Sequence, residues 1–289
     1  MRVLITGSNG QLGSEIRELA TNYKKVDFIF KDLPELDICN FDELQNFIIK
    51  NNIIAVINCA AYTAVDKAEE DEQIAKKVNA EGVTNIVKAL QKVNGKLIHI
   101  STDYVFNGDH FLPYKESDPV SPIGVYGETK REGELAAINS TLDAIVIRTS
   151  WLYSSFGSNF VKTMLRLGKE IDELGVIFDQ VGTPTYARDL AEICLAILCG
   201  DSSVNISKNG SLYHYSNEGV ASWYDFAISI MELGGENCKV NPIQTKDYPT
   251  LAKRPHYSVL NKSKIKTDFN IEIRYWKDSL KDCIEKIKK

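Results

Sequence analysis

None of the six cysteines pairs with another in a CxxC arrangement. Cys39, Cys59, Cys194, Cys199, Cys238 and Cys283 therefore read as reduced thiols of an intracellular protein, mostly small apolar fillers. The four histidines (His99, His110, His214, His256) show no ligand spacing such as HxxxH, so no required metal is expected. No apolar run approaches the ~18–20 residues of a membrane span, and no basic-then-apolar leader follows Met1. A cytoplasmic protein with no membrane partner is expected. The formal net charge of −5 leaves no broad basic surface, which argues against nucleic acid as a partner but permits a local pocket for a small anion. Internal repeats and low-complexity segments are also missing.

What is present is a regular alternation. Short apolar runs at residues 3–6, 26–30, 53–57, 96–100 and 144–147 alternate with helical patterns. One helix opens at Asn40, with Glu43 three residues on at capping-box spacing; another covers roughly residues 66–93. Strands alternating with helices imply parallel pairing, and helices on both faces explain why the strands read as continuous apolar runs. The fold class is α/β: a Rossmann-type doubly wound parallel sheet over residues 1–150. A smaller α/β substrate domain is expected over residues 151–289, with later segments free to return to the first. Ligands on such sheets bind at the carboxyl ends of the strands. The glycine loop, Ala60-Ala61, Ser101-Thr102 and Thr149-Ser150-Trp151 all lie there.

Gly7-Ser8-Asn9-Gly10-Gln11-Leu12-Gly13 follows the first strand and opens a helix, the context of a dinucleotide loop. Glycine permits the tight turn and close approach to a pyrophosphate, and the helix amino terminus adds free N–H groups. Gly7, Asn9, Gly10, Gln11, Leu12 and Gly13 are the first cofactor residues. After the second strand, Asp32 suits the adenine ribose hydroxyls of NAD, whereas Lys31 suits the 2′-phosphate of NADP; both remain open. Asp37 and Ile38 are placed at the adenine, and Ala60, Ala61 and Tyr62 join the cofactor set. Tyr126 and Lys130 stand four apart, so one helix face presents both. A nearby ammonium is expected to lower the phenol pKa and make Tyr126 a better general acid. Lys130 also suits the nicotinamide ribose. Thr102, at a strand end, can donate to a carbonyl oxygen as charge develops there, with Ser101 as a substitute. Asn79, a poor helix former in mid-helix, reads either as the holder of a relay water behind Lys130 or as a kink.

These motifs resemble the extended short-chain dehydrogenase/reductase family, and within it the dTDP-4-dehydrorhamnose reductases. The resemblance rests on the glycine loop, Ala60-Ala61-Tyr62-Thr63-Ala64-Val65-Asp66-Lys67-Ala68-Glu69, Ser101-Thr102-Asp103-Tyr104-Val105-Phe106, Val125-Tyr126-Gly127-Glu128-Thr129-Lys130 and Arg148-Thr149-Ser150-Trp151. Asn159-Phe160-Val161-Lys162-Thr163-Met164, Asp179-Gln180 with Gly182, Pro184-Thr185, and Arg254-Pro255 with Ser258 and Leu260 extend it in order. It implies reduction of the C4 keto group of dTDP-4-dehydro-L-rhamnose by NADH or NADPH, with Thr102, Tyr126 and Lys130 as catalytic residues. It also implies a nucleotide-sugar substrate in contact with Thr63, Val65, Asp103 and Trp151, with Asn159 and Arg254 facing its nucleotide and diphosphate. Some members are described as magnesium-linked dimers using acidic residues shortly after the Pro-Thr pair. Here Arg188 stands among those positions, so no magnesium bridge is expected; a monomer or a homodimer remains open. The competing readings are an epimerase or dehydratase of the same fold, or a non-catalytic regulatory subunit. Asp103 is followed by Tyr104 rather than a second acid, which argues against a dehydratase.

Overall fold

In the computed structural model, which describes residues 1–200 and 211–289, the apolar runs become neighbouring parallel strands. They are β1 (Arg2–Thr6), β2 (Asp27–Lys31), β3 (Ala55–Asn58), β4 (Lys96–Thr102) and β5 (Asp143–Thr149). A sixth, β10 (Ser211–His214), joins from far along the chain, and the order is β2-β1-β3-β4-β5-β10. Alternate side chains leave opposite faces. Val3, Ile5, Ile57, Ile98 and Ile147 pack beneath α1 (Gln11–Leu19) and α8 (Ala187–Cys199). Leu4, Val56, Leu97 and Val146 pack on the other face, against α2 (Phe41–Lys50), α5 (Gly82–Gln91) and α6 (Val125–Ile138). Strand order reverses direction between β1 and β3, so a crevice opens at their carboxyl ends, where ligands of such sheets bind.

Helix α2 starts where its cap dictates: the Asn40 side chain accepts from the Glu43 N–H. The return bond runs between the two side chains, because the Asn40 N–H already donates to the Asp37 carbonyl. The stretch 66–93 is not one helix. It divides into α3 (Val65–Ala68), α4 (Glu72–Lys76), a π turn (Lys77–Glu81) and α5. The wide turn occurs where the Asn79 side chain leaves the helix for partners elsewhere.

The second lobe combines three small ladders with helices α7 (Phe160–Glu170), α9 (Trp223–Gly234) and α11 (Trp276–Lys288), whereas α10 (Ser263–Phe269) returns to the central sheet, where Ile265 and Phe269 pack beside β10. Its ladders are β6 (Leu152–Tyr153) with β9 (Thr185–Tyr186), β7 (Glu173–Ile177) with β12 (Lys239–Ile243), and β8 (Val181–Gly182) with β11 (Ala221–Ser222). Its core centres on Tyr153, Phe226, Ile230 and Leu280. The lobes are tied at Glu15 of α1, which is fully buried. Its carboxylate accepts from the Ser154 hydroxyl at 2.6 Å and pairs with Lys286 of α11 and Arg188 of α8. Arg188 also pairs with Glu18 at 3.0 Å. Among the described residues no helix is long and apolar enough to cross a membrane, and no group of three or more His, Cys, Asp or Glu side chains converges to hold a metal ion.

Candidate active site

A cleft of about 820 Å³ lies at the carboxyl ends of the central strands. Its floor is the glycine loop. Gly7 has φ +60°, and a Cβ there would stand 2.5 Å from the Ala60 nitrogen; a Cβ on Gly13 would stand 2.5 Å from the Gly7 carbonyl oxygen. Only glycine lets the loop and α1 close this tightly. Gly10 caps α1 without a side-chain bond, so the first N–H groups of the helix, including those of Gln11 and Leu12, face the cleft without helical partners. That is a cradle for a pyrophosphate. Gly13 packs behind the loop, and the Asn9 N–H donates to Asp32 at 2.9 Å.

Asp32, Asp37, Ile38, Ala60, Ala61 and Tyr62 line the same cleft, as befits the adenosine and nicotinamide ends of a dinucleotide. Lys31 does not; it pairs with Glu35 at 3.4 Å. Asn79 departs from the water-relay expectation. Its amide accepts from the Tyr62 N–H at 2.9 Å and donates to the Tyr62 carbonyl and the Thr129 hydroxyl. It is buried behind the loop it holds, and its polar atoms are engaged by protein. The π turn is what aims it there.

Thr102, Asp103, Tyr126 and Lys130 form the opposite wall. The Thr102 hydroxyl donates to Asp103 at 3.1 Å and accepts from the Tyr104 N–H at 3.2 Å. Ser101 turns the other way, toward Glu134, as strand alternation requires. The phenol pKa runs opposite to the expectation. Burial pushes Tyr126 up to about 12; the Thr102 hydroxyl opposes this and Asp103 adds to it. Lys130 does not reach the phenol, because its ammonium donates to the Ile100 carbonyl at 2.6 Å. Burial lowers Lys130 to about 8. In the ligand-free protein Tyr126 is thus fully protonated at neutral pH, which suits a proton donor.

Asp103 is 2% exposed, and burial raises its carboxyl to about 6, only partly offset by the Ser258 and Thr102 hydroxyls. Between its ordinary 3.8 and about 6 the folded state binds more protons than the unfolded chain. Stability therefore falls as pH rises through that window, and the penalty is complete above it. Asp103→Asn keeps an oxygen for the Thr102 hydroxyl and removes the charge. The variant should gain on the order of 2–3 kcal/mol at pH 8 and nothing at pH 3.5. Urea unfolding at the two pH values checks this; an equal effect at both contradicts it.

One residue went unread in the sequence. Glu134 follows Tyr126 and Lys130 at the same spacing of four, on the same face of α6. It receives Arg148 of β5 through two bonds of 2.7 and 2.8 Å, and Arg131 at 2.7 Å. Glu134 and Arg148 are both buried. Burial, with the Arg148 guanidinium adding to it, pushes His214 down to about 3, so that ring stays neutral. This pair fixes the helix that carries Tyr126 and Lys130 to the central sheet. Its available sign was the third member of the i, i+4 series together with an arginine inside an apolar strand.

The expected substrate residues divide. Thr63, Val65, Asp103 and Trp151 line the cleft. Asn159 lines it too, but its amide is occupied: it caps α7 at the Lys162 N–H and donates to Gln11, Ser154 and Phe156. Arg254 is not among the residues that line the cleft; it pairs with Asp66 at 2.7 Å and holds that carboxyl below its usual range. Trp151 carries φ +49°, a conformation that costs a non-glycine residue roughly 1–2 kcal/mol.

Comparison with known proteins bears on this geometry. The chain matches the RmlD substrate binding domain family over residues 1–289. It is 42% identical over 287 residues to a dTDP-4-dehydrorhamnose reductase of Aggregatibacter actinomycetemcomitans, covering 97% of each chain. A crystal structure of a dTDP-4-dehydrorhamnose reductase from Clostridium acetobutylicum matches with TM-score 0.94 and 43% identity, over 100% of both chains. A dTDP-4-dehydrorhamnose reductase from Bacillus anthracis, solved in complex with NADP, matches with TM-score 0.92 and 38% identity, over 99% of both.

Proposed function

The chain belongs to the RmlD substrate binding domain family, and from that premise we propose that it reduces the C4 keto group of dTDP-4-dehydro-L-rhamnose to give dTDP-L-rhamnose, with NADH or NADPH as reductant. The observation that carries the reading is Tyr126, protonated through the neutral range, in one cleft with Thr102, Lys130 and the glycine cradle. When bound, the reduced nicotinamide supplies a hydride to the carbonyl carbon. Gly7, Gly10, Gln11 and Leu12 hold the pyrophosphate, Asp32 the adenine ribose, and Lys130 the nicotinamide ribose. Thr102 donates to the keto oxygen and orients it. As negative charge grows on that oxygen, Tyr126 transfers its phenolic proton to it, and the phenolate regains a proton from solvent. The buried ammonium of Lys130 offsets the transient charge on this wall of the cleft. Thr63, Val65, Asp103 and Trp151 contact the sugar. Arg254 serves a diphosphate only by sharing or leaving Asp66.

The test is stoichiometry. Purified protein with NADPH and the keto sugar nucleotide should consume one equivalent of NADPH per sugar. An epimerase or dehydratase recycles its cofactor, and a regulatory subunit turns nothing over. Either outcome, read as no net loss of reduced-cofactor absorbance, overturns the proposal.

A further inference from the structure

We infer that Trp223, together with Gly182, is a positioning residue for the sugar substrate: it holds the Trp151 indole in the cleft wall although it does not line the cleft itself. The inference rests on the proposed reductase activity, in which Trp151 contacts the sugar.

Trp151 sits two residues beyond Thr149, the end of β5, with its backbone in the left-handed region at φ +49°. An indole has no intrinsic preference for that region, so surrounding contacts must keep it there. Three are visible. The Trp151 carbonyl accepts from the Thr185 N–H at 3.2 Å. One face of its ring lies flat on Trp223, with centroids 3.6 Å apart and planes 9° from parallel. Its six-membered ring crosses Gly182, where a Cβ would stand 2.8 Å from Cε2 and 3.0 Å from Cζ2. Any side chain at 182 would press on the indole and on the Ser258 hydroxyl, whose oxygen would stand 2.7 Å from that Cβ.

Trp223 is itself anchored. It is the first residue of α9, immediately after Ser222, which forms a reciprocal capping box with Asp225. Phe160 packs against its ring at 4.7 Å. The support therefore runs from the second lobe's core, through Trp223, to the indole that the cleft presents beside Lys130 and Tyr126. A 6-deoxy sugar ring has an apolar side, formed by its C–H groups and methyl, that packs well on a fixed flat surface. Holding that surface ready before binding lowers the ordering cost of association. Nothing in the chemistry of proton or hydride transfer depends on the stack, so its loss should weaken sugar binding while leaving the reacting groups in place.

The test compares Trp223→Leu, Trp223→Phe and Gly182→Ala with the unmodified protein. Stacked aromatic pairs contribute about 0.5–1.5 kcal/mol, which corresponds to a rise of roughly two- to twelvefold in KM for the keto sugar nucleotide. Trp223→Leu should show that rise, with kcat and the KM for NADPH within about twofold. Trp223→Phe keeps an aromatic face and should return most of the affinity. Gly182→Ala should raise the same KM with both indoles present. The unmodified protein should also give an exciton couplet in the far-ultraviolet circular dichroism spectrum, which either Trp223 substitution abolishes. An unchanged sugar KM in Trp223→Leu overturns the inference. So does a simultaneous fall of kcat, both affinities and thermal stability, since that marks general damage to the lobe. Failure of the unmodified protein to turn the keto sugar over is a separate result: it defeats the reductase reading, and this inference with it.

Discussion

Tyr126→Phe should lower kcat by about 10²–10⁴, the usual contribution of a positioned general acid, and leave the affinity for NADPH within about twofold. The substitution removes one oxygen and preserves the ring, which packs edge-on against Tyr104 with centroids 5.4 Å apart. The wall of the cleft should therefore survive. Thr102 is untouched and can turn its single O–H from Asp103 to the carbonyl, so the loss isolates proton donation. The pH profile carries further information. With the phenol at about 12, the donor stays protonated across the neutral and mildly alkaline range in the ligand-free protein. Activity should not fall near neutrality because Tyr126 ionises. A basic limb near pH 8 would instead report Lys130, whose charge is lost as pH rises through about 8. Stopped-flow loss of NADPH absorbance at several pH values measures both quantities. A Tyr126→Phe enzyme within fivefold of the original kcat, with chemistry rate-limiting, contradicts the assignment.

Glu134→Leu should destabilise the fold by about 3–5 kcal/mol, because it leaves the Arg148 guanidinium buried without its partner. Arg148 is 1% exposed, so solvent cannot compensate, and Arg131 loses the same carboxylate. The pairing is bidentate, the geometry that makes such bonds strong. Removing both charges is different. Glu134→Leu combined with Arg148→Met replaces the pair by apolar side chains of similar size and should recover a large part of the loss. Urea denaturation of the two single variants and the double gives the coupling. Additive losses would show that the pair does not act as a unit. Since α6 carries Tyr126 and Lys130, kcat of the single variant should fall as well, through the position of the helix.

The central sheet was legible because its strands are buried on both faces and read as continuous apolar runs. The β10 strand was not, since its partner β5 lies some sixty residues earlier and only tertiary packing joins them. The Asn40 cap could be read because its bond is local. The break in the 66–93 stretch could not, because Asn79 answers to the backbone of Tyr62, a contact made across the fold. The same division runs through the site. Spacing places Tyr126 beside Lys130 on one helical face, yet the direction of the phenol shift depends on burial and on where the ammonium points. Both are set by β4, whose Ile100 carbonyl captures Lys130. Trp151 in a left-handed conformation has no sequence signature at all; it follows from Trp223 and Gly182. The pairing of Arg254 with Asp66 was not legible either, because the two stand far apart in the chain.

A crystal structure of the protein with oxidised cofactor and dTDP-L-rhamnose bears most directly on the proposed chemistry. The Tyr126 phenolic oxygen should lie about 2.6–3.2 Å from the sugar O4, with the sugar C4 facing the nicotinamide ring. A sugar O4 turned away from Tyr126, with the phenol directed to bulk water, would contradict it.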